Sequence, residues 1–188
     1  DRRAAQTAMY TILSAVSRML APILAFTSEE IWKYMPHAAS DDTRSIMMNG
    51  VPEKIDVNVD EAFTEKWNMI YQLRSDVTKA LEAKRAEKFI GASLEAKVVI
   101  HVNNDDAIKA KINEYVDVLK KVFIVSDVAV SADAKGDFGS DYFADKLSYS
   151  VEKAAGQKCD RCWMYSESVG THADHPTLCS RCVEEVSK

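Results

Sequence analysis

Lys158-Cys159-Asp160-Arg161-Cys162-Trp163-Met164-Tyr165, followed by Leu178-Cys179-Ser180-Arg181-Cys182-Val183, decides how the last part of this chain folds. All 4 cysteines of the 188-residue sequence fall in these two runs, as two C-x-x-C pairs separated by residues 163–178. A C-x-x-C pair sets two sulfurs on one tight turn, close enough to take adjacent corners of a tetrahedron. Two such turns close a four-coordinate zinc site with Zn–S near ~2.3 Å, and the interval lies in the ~15–20 residue window of zinc modules. Two disulfides are the alternative. They suit small secreted modules, and a reducing cytosol keeps thiols free. A dithiol redox pair needs one activated, exposed C-x-x-C on a thioredoxin-like frame, which is missing here. His172 and His175 can ligate in principle, but four thiolates already fill the tetrahedron, so both read as loop histidines. A site closed by four thiolates has no open position for water, so the zinc is structural. About thirty residues cannot bury enough apolar surface to fold unaided, and the metal provides the stability.

Lys158, Arg161, Trp163, Tyr165 and Arg181 sit on or beside these turns. Aromatic rings stack on unpaired bases and Arg or Lys contacts phosphate, so the cluster can meet RNA. By composition alone the plainer reading is favoured: Trp163 and Tyr165 form the small core beside the metal, as aromatics are usually buried.

Outside the module the composition is that of an ordinary globular protein, 47% apolar and 28% charged. No run reaches the ~18–20 apolar residues of a membrane-spanning helix, and no secretory leader is present. The chain opens at Asp1 directly into a helical pattern, as an excised piece of something longer would. The net charge of −5 argues against binding nucleic acid by bulk phosphate neutralisation. Any such role rests on local basic and aromatic groups or on other parts of a longer polypeptide.

Three textures precede the cysteines. Ala5, Met9, Ile12, Leu13, Val16, Met19 and Leu20 recur at three- and four-residue intervals, predicting a helix that Pro22 interrupts. Thr27 and Glu30 form a capping-box pattern opening a second helix through Trp32 that stops near Pro36. Residues 37–60 read as an irregular connector. From about Asp60 a long helix runs to the late eighties, with Phe63, Trp67, Ile70, Leu73, Val77 and Leu81 on one face and charges, Arg74, Asp76 and Lys79 among them, elsewhere; Gly91 ends it. Ala96, Val98, Ile100 and Val102 alternate as a strand, Ile108 to Leu119 form an amphipathic helix, and Val122–Val130 and Lys146–Glu152 read as strands around a loop at 131–142. The expected class is α+β in several parts: helices over 1–89, a small α+β unit over 90–155, and the zinc-ribbon-like module over 156–188.

The cysteine-bearing runs quoted above resemble the C-terminal zinc finger of bacterial-type isoleucyl-tRNA synthetases. Leu20-Ala21-Pro22-Ile23-Leu24-Ala25-Phe26-Thr27-Ser28-Glu29-Glu30-Ile31-Trp32 resembles the helical anticodon-binding domain shared by the synthetases for isoleucine, valine and leucine. Leu73-Arg74, Val77 to Glu82, Lys84 to Lys88 and Ile90 to Val98 are similar to the segment joining that bundle to the C-terminal α+β part. The resemblance implies a tRNA-binding fragment of a cytoplasmic, monomeric isoleucine–tRNA ligase. Its partners would be the isoleucine tRNA and the upstream catalytic and editing domains of the same polypeptide. The family's H-I-G-H and K-M-S-K-S patterns are missing from this sequence, so ATP and Mg2+ belong to the catalytic domain, and the fragment has no catalytic or editing centre. The first helices of the bundle lie upstream. By residue-level match the resemblance implies base or ribose stacking by Trp163, phosphate or base-edge contacts by Arg161 and Arg181, supporting charge from Lys158, and further contacts from Arg74 and Lys79. The rivals are a zinc-ribbon adapter that contacts only protein, which requires a buried Trp163, and the corresponding part of a valine or leucine enzyme.

Overall fold

A computed structural model describes residues 2–55, 57, 59–132 and 135–187. The parts of the expected opening helix, connector and loop that fall on Asp1, Asp56, Asn58, Asp133 and Ala134 lie outside the described residues, as does Lys188. Packing divides the chain into two units, residues 1–58 and 59–188.

The first unit holds α1 (Arg2–Leu20), α2 (Ala25–Tyr34) and a short 3-10 turn, Ile46–Met48, inside the connector. Its core is small: Ala21, Trp32, Met35 and Ile46, with Tyr10 and Ile31 against them. Polar groups hold the connector down. Arg18 donates to Asp41 at 2.5 Å and lies 5.2 Å over the Trp32 ring, while Glu29 accepts from Ser45 and from the Ile46 N–H. α2 starts two residues before the predicted cap. Leu24 occupies the N-cap position with no side-chain bond, so Thr27 sits inside the first turn and the capping box does not form. The apolar stripe of α1 is there, yet Met9, Ile12, Leu13, Val16, Met19 and Leu20 face solvent, and the helix's one buried residue among those described is Ser17.

The second unit is built on α3 (Glu61–Ala86), β1 (Ala96–Val102), α4 (Asp106–Phe123), β2 (Asp127–Ser131), β3 (Phe138–Gly139) and β4 (Leu147–Lys153). The sheet order is β2-β1-β4-β3. β1 and β2 are parallel, joined through α4; β1 and β4 are antiparallel with Val98 opposite Val151 and His101 opposite Ser148. The predicted parity of β1 is observed. Ala96, Val98, Ile100 and Val102 form the core face, and α3 and α4 cover it with Ile70, Leu73, Val77, Leu81, Ile112 and Leu119. α3, which periodicity groups with the helices before it over 1–89, therefore buries its apolar face against the sheet.

Several boundaries differ from expectation, each for a local reason. α3 is capped by Asp60, whose carboxylate accepts from the Phe63 N–H at 2.7 Å. Lys88, at φ 58°, not Gly91, makes the left-handed turn that ends it, with Phe89 N–H donating to Lys84 C=O at 3.0 Å. Val122 and Phe123 finish α4, which stops at left-handed Ile124, so the second strand is the shorter Asp127–Ser131. β-branched composition cannot separate a helix end from a strand start. Asp76, expected among the solvated charges of α3, is 3% exposed. It accepts from Ser140 Oγ at 2.5 Å, the Asp141 N–H at 3.2 Å and the Tyr149 hydroxyl at 3.1 Å, fastening the 138–143 loop to α3 and β4. Among the described residues no helix is long and apolar enough to cross a membrane.

Candidate metal centre and its exposed aromatic rim

Two hydrogen bonds tie the cysteine module and the chain leading into it to segments that flank β1 and β2. Ala154 N–H donates to Glu95 C=O at 2.7 Å, and Tyr165 N–H donates to Ser126 Oγ at 2.7 Å. Gly156 makes the entry turn at φ 84°, where any side chain would run into the Ser166 backbone. A short hairpin follows, β5 (Gln157–Lys158) with β6 (Tyr165–Ser166), and the first C-x-x-C pair forms its tip. Trp163 N–H closes the tip onto Cys159 C=O at 2.8 Å. The second pair opens α5 (Ser180–Val186): Cys179 stands at the N-cap position and Cys182 in the first turn. Asp160 N–H bonds Thr177 C=O at 3.1 Å, bringing the two turns face to face.

The four sulfurs converge as the spacing requires. All lie within 4.8 Å of one another, none is in a disulfide, and Cys162 and Cys179 Sγ are 3.7 Å apart. A tetrahedron with ~2.3 Å metal–sulfur bonds has edges of about 3.8 Å, whereas a disulfide needs about 2.05 Å. The donor set therefore fits one tetrahedral thiophilic ion. The charge is distributed unevenly. Burial pushes the Cys159 thiol up, but the backbone N–H groups of Cys162, Cys179 and Arg161 aimed at its sulfur outweigh this and hold it at about 6. Burial, with protons shared among the neighbouring sulfurs, pushes Cys179 up to about 12. Four close thiolates cannot all ionise without a cation between them, and a metal that binds here displaces protons. The surrounding core is Val169 with the cysteines themselves, and Leu178 against it. His172 is not among the converging ligands; its Nε2 bonds Ser180 Oγ at 3.1 Å.

The residues beside the turns separate into two groups. Arg161 Nη1 points to Cys182 Sγ at 3.6 Å, and Arg181 Nη2 to Met164 Sδ at 3.4 Å. The Arg161 guanidinium thus lies over a cluster sulfur, whereas Arg181 rests on the neutral Met164 thioether; burial opposes the Arg181 charge, but the nearby Cys162 sulfur holds its pKa up. Trp163 is the opposite case. Its backbone is left-handed at φ 63° and the residue is 61% exposed, with Lys158 Nζ 5.4 Å from the ring centroid. The expectation from composition, that Trp163 fills the module's core, does not hold: the cysteines occupy that space and the ring is turned out. Lys79 is ion-paired with Asp141, and Arg74 is exposed on the same helix. Neither sits in the cysteine module. The buried carboxylate of Asp76 had no signal in periodicity, since its partners lie in 140–149.

Residues 1–100 match the family described as the anticodon-binding domain of tRNA ligase, and residues 156–184 match the zinc finger found in FPG and IleRS. The chain is 41% identical over its whole length to the isoleucine–tRNA ligase of Thermoanaerobacter sp. (strain X514), covering 20% of that protein. Against the isoleucine–tRNA ligase of Syntrophotalea carbinolica it is 42% identical, with 97% of this chain and 19% of the relative aligned. Against that of Geobacter sulfurreducens it is 37% identical, with 99% and 20% aligned. The chain spans about a fifth of the length of the curated relatives it matches. α3 is thus shared: it lies in the anticodon-binding match yet packs with the sheet.

Proposed function

The chain belongs to the family of anticodon-binding domains of tRNA ligases, and from that premise we infer that it is the C-terminal tRNA-binding portion of an isoleucine–tRNA ligase. The observation that carries this reading is the exposed Trp163 ring on a cysteine-closed turn, with a lysine ammonium beside it. A large aromatic held out in water by a left-handed backbone is destabilising in isolation and useful as a stacking platform for an unpaired base. Lys158 would take the adjoining phosphate.

Cys159, Cys162, Cys179 and Cys182 would hold one Zn2+, whose role when bound is to cross-link the two turns. The chain's own residues do the remainder. Arg161 and Arg181 neutralise the sulfur cluster on one side and add positive potential for RNA on the other. The three parts 1–89, 90–155 and 156–188 act as anticodon-binding helices, junction and rim. Arg74 and Lys79 contribute to backbone contacts from α3, Lys79 exchanging Asp141 for phosphate. Upstream catalytic and editing domains of the same polypeptide supply ATP, Mg2+ and the chemistry of charging, and the exposed stripe of α1 is the face that upstream helices cover. The partner is the isoleucine tRNA, gripped at its anticodon stem-loop by a cytoplasmic monomer.

In the full-length polypeptide, Trp163→Ala should lower tRNA charging by about five- to 150-fold at limiting tRNA, the loss of ~1–3 kcal/mol of stacking, while isoleucyl-adenylate formation is unchanged. Equal charging by the variant and the parent would refute the reading. The acidic net charge of −5 further predicts a shallow salt dependence of tRNA affinity for the 188-residue chain alone, with most phosphate contacts made upstream.

A further inference from the structure

The turn that closes α3 repeats the arrangement seen at Trp163. Lys88 is left-handed at φ 58°, as Trp163 is at φ 63°, and the residue after it, Phe89, is 39% exposed. Lysine ammonium groups reach the Phe89 ring from two elements. Lys84 of α3 lies 5.7 Å from its centroid, and Lys153, the last residue of β4, lies 5.5 Å from it. At Trp163 the corresponding cation is Lys158, at 5.4 Å.

Both turns stand at one end of the sheet, where β1 begins and β4 ends. The loop after Phe89 enters β1 at Ala96, which pairs with Lys153. From Lys153 the chain passes through Ala154, bonded to Glu95, to Lys158 and the cysteine hairpin. Lys158 follows Lys153 by five residues, a reach of at most ~18 Å. Ser126 Oγ fastens the base of the hairpin beside the same loop, donating to Leu94 C=O and accepting the Tyr165 N–H at 2.7 Å.

Charge at this rim runs against that of the chain, whose net charge is −5. Residues 82–97 and 152–158 carry six Lys and Arg against four Glu. All four carboxylates are engaged: Glu82 with Arg85, Glu87 with Lys84, Glu152 with Lys97, and Glu95 with the Gly91 N–H. Lys88, Lys153 and Lys158 are exposed and, among the described residues, have no carboxylate partner. Free ammonium groups beside exposed aromatic residues suit a polyanion that also carries flat apolar faces, which is single-stranded nucleic acid. An acidic protein segment offers the charge without the faces.

We propose that Lys88, Phe89 and Lys153 form a second RNA contact, continuous with Lys158 and Trp163. Phe89 stacks one unpaired base, and Lys88 and Lys153 take phosphates of the strand that runs between the two rings. Lys153 leaves the ring for a phosphate as the base arrives, an exchange that favours the base because a cation over an exposed ring is held weakly. The proposal rests on the tRNA reading above for the identity of the RNA.

The test is tRNA affinity of the full-length polypeptide, measured across salt concentrations, with Trp163→Ala alongside the rim variants. These are Lys88→Gln, Lys153→Gln, their double variant, Phe89→Leu and Phe89→Tyr. All three positions are exposed, and thermal unfolding checks each variant; if Phe89→Leu unfolds below the parent temperature, the lysine variants carry the test. Each lost phosphate contact should make the slope of log affinity against log salt shallower by about 0.7, so the double variant should lose about 1.4. Loss of a purely structural lysine leaves that slope in place. Phe89→Leu keeps the apolar cover but should weaken binding at least about fivefold, whereas Phe89→Tyr should stay within about twofold of the parent. An unchanged slope in the double variant, or parent affinity in folded Phe89→Leu, overturns the proposal; an acidic protein partner for the rim would give that result. Loss of affinity in Trp163→Ala with none in the rim variants leaves the tRNA reading standing and sinks the rim alone. Unchanged binding in every variant, Trp163→Ala included, sinks both.

Discussion

At the scale of single residues, the proposed stacking role of Trp163 sets function against stability. A side chain in the left-handed region costs about 1–2 kcal/mol relative to glycine, and here that cost falls on a large ring left in water. Comparing Trp163→Gly with Trp163→Ala separates the two effects. The glycine variant should be the more stable by about 1 kcal/mol, because only glycine is at ease at that φ, read as a higher midpoint in chelator-driven release of the metal. Both should lose tRNA affinity alike. If alanine and glycine are equally stable, the turn stores no strain. Composition alone favours a buried Trp163, because aromatics usually are buried; it cannot register that four cysteines already fill the module's interior.

Elements are joined by a few buried polar groups, and two of these make predictions. Asp76 on α3 holds the 138–143 loop and β4 through three donors. Asp76→Ala would leave the Tyr149 hydroxyl and the Asp141 N–H without their acceptor, costing about 2–4 kcal/mol, measurable as a lowered urea midpoint; asparagine should recover part of it. Asp41 ties the connector to α1. Burial pushes its carboxyl up, but the Ala38 N–H, the Arg18 guanidinium and the Tyr10 hydroxyl together hold it below the ordinary 3.8. The sign follows: a carboxyl depressed in the folded state adds stability that is complete above about pH 3.8 and is lost as pH falls through the lower, folded value. Asp41→Asn should therefore flatten the acid limb of the stability profile followed by Trp32 fluorescence. A parallel shift with unchanged slope would show that Asp41 is not the group responsible. Periodicity located α3, β1 and α4 because each repeats locally. It put the end of α3 in the late eighties, where the structure ends it, but assigned the stop to Gly91 and misplaced the start of β2; in each case a single left-handed residue, Lys88 or Ile124, decides the boundary.

At the scale of the whole molecule, the described residues form three separate cores, one in the first unit, one between α3, α4 and the sheet, and one around the cysteines. Stripping metal should therefore be a local event. With a strong chelator the 156–188 module should unfold, changing Trp163 fluorescence, while the urea transition of the sheet core stays in place; Cys179→Ser should reproduce this without chelator. A single transition that moves as a whole would show that the metal stabilises the sheet as well. What the sequence determined by itself is the four-sulfur centre, the core face of β1 and the helical runs, because ligand spacing and side-chain periodicity are properties of neighbours along the chain. Only the tertiary structure decided that α3 packs on the sheet, that Asp76 is buried and that Trp163 faces water. Each of these depends on which distant segments meet, and on what space is already filled when they do.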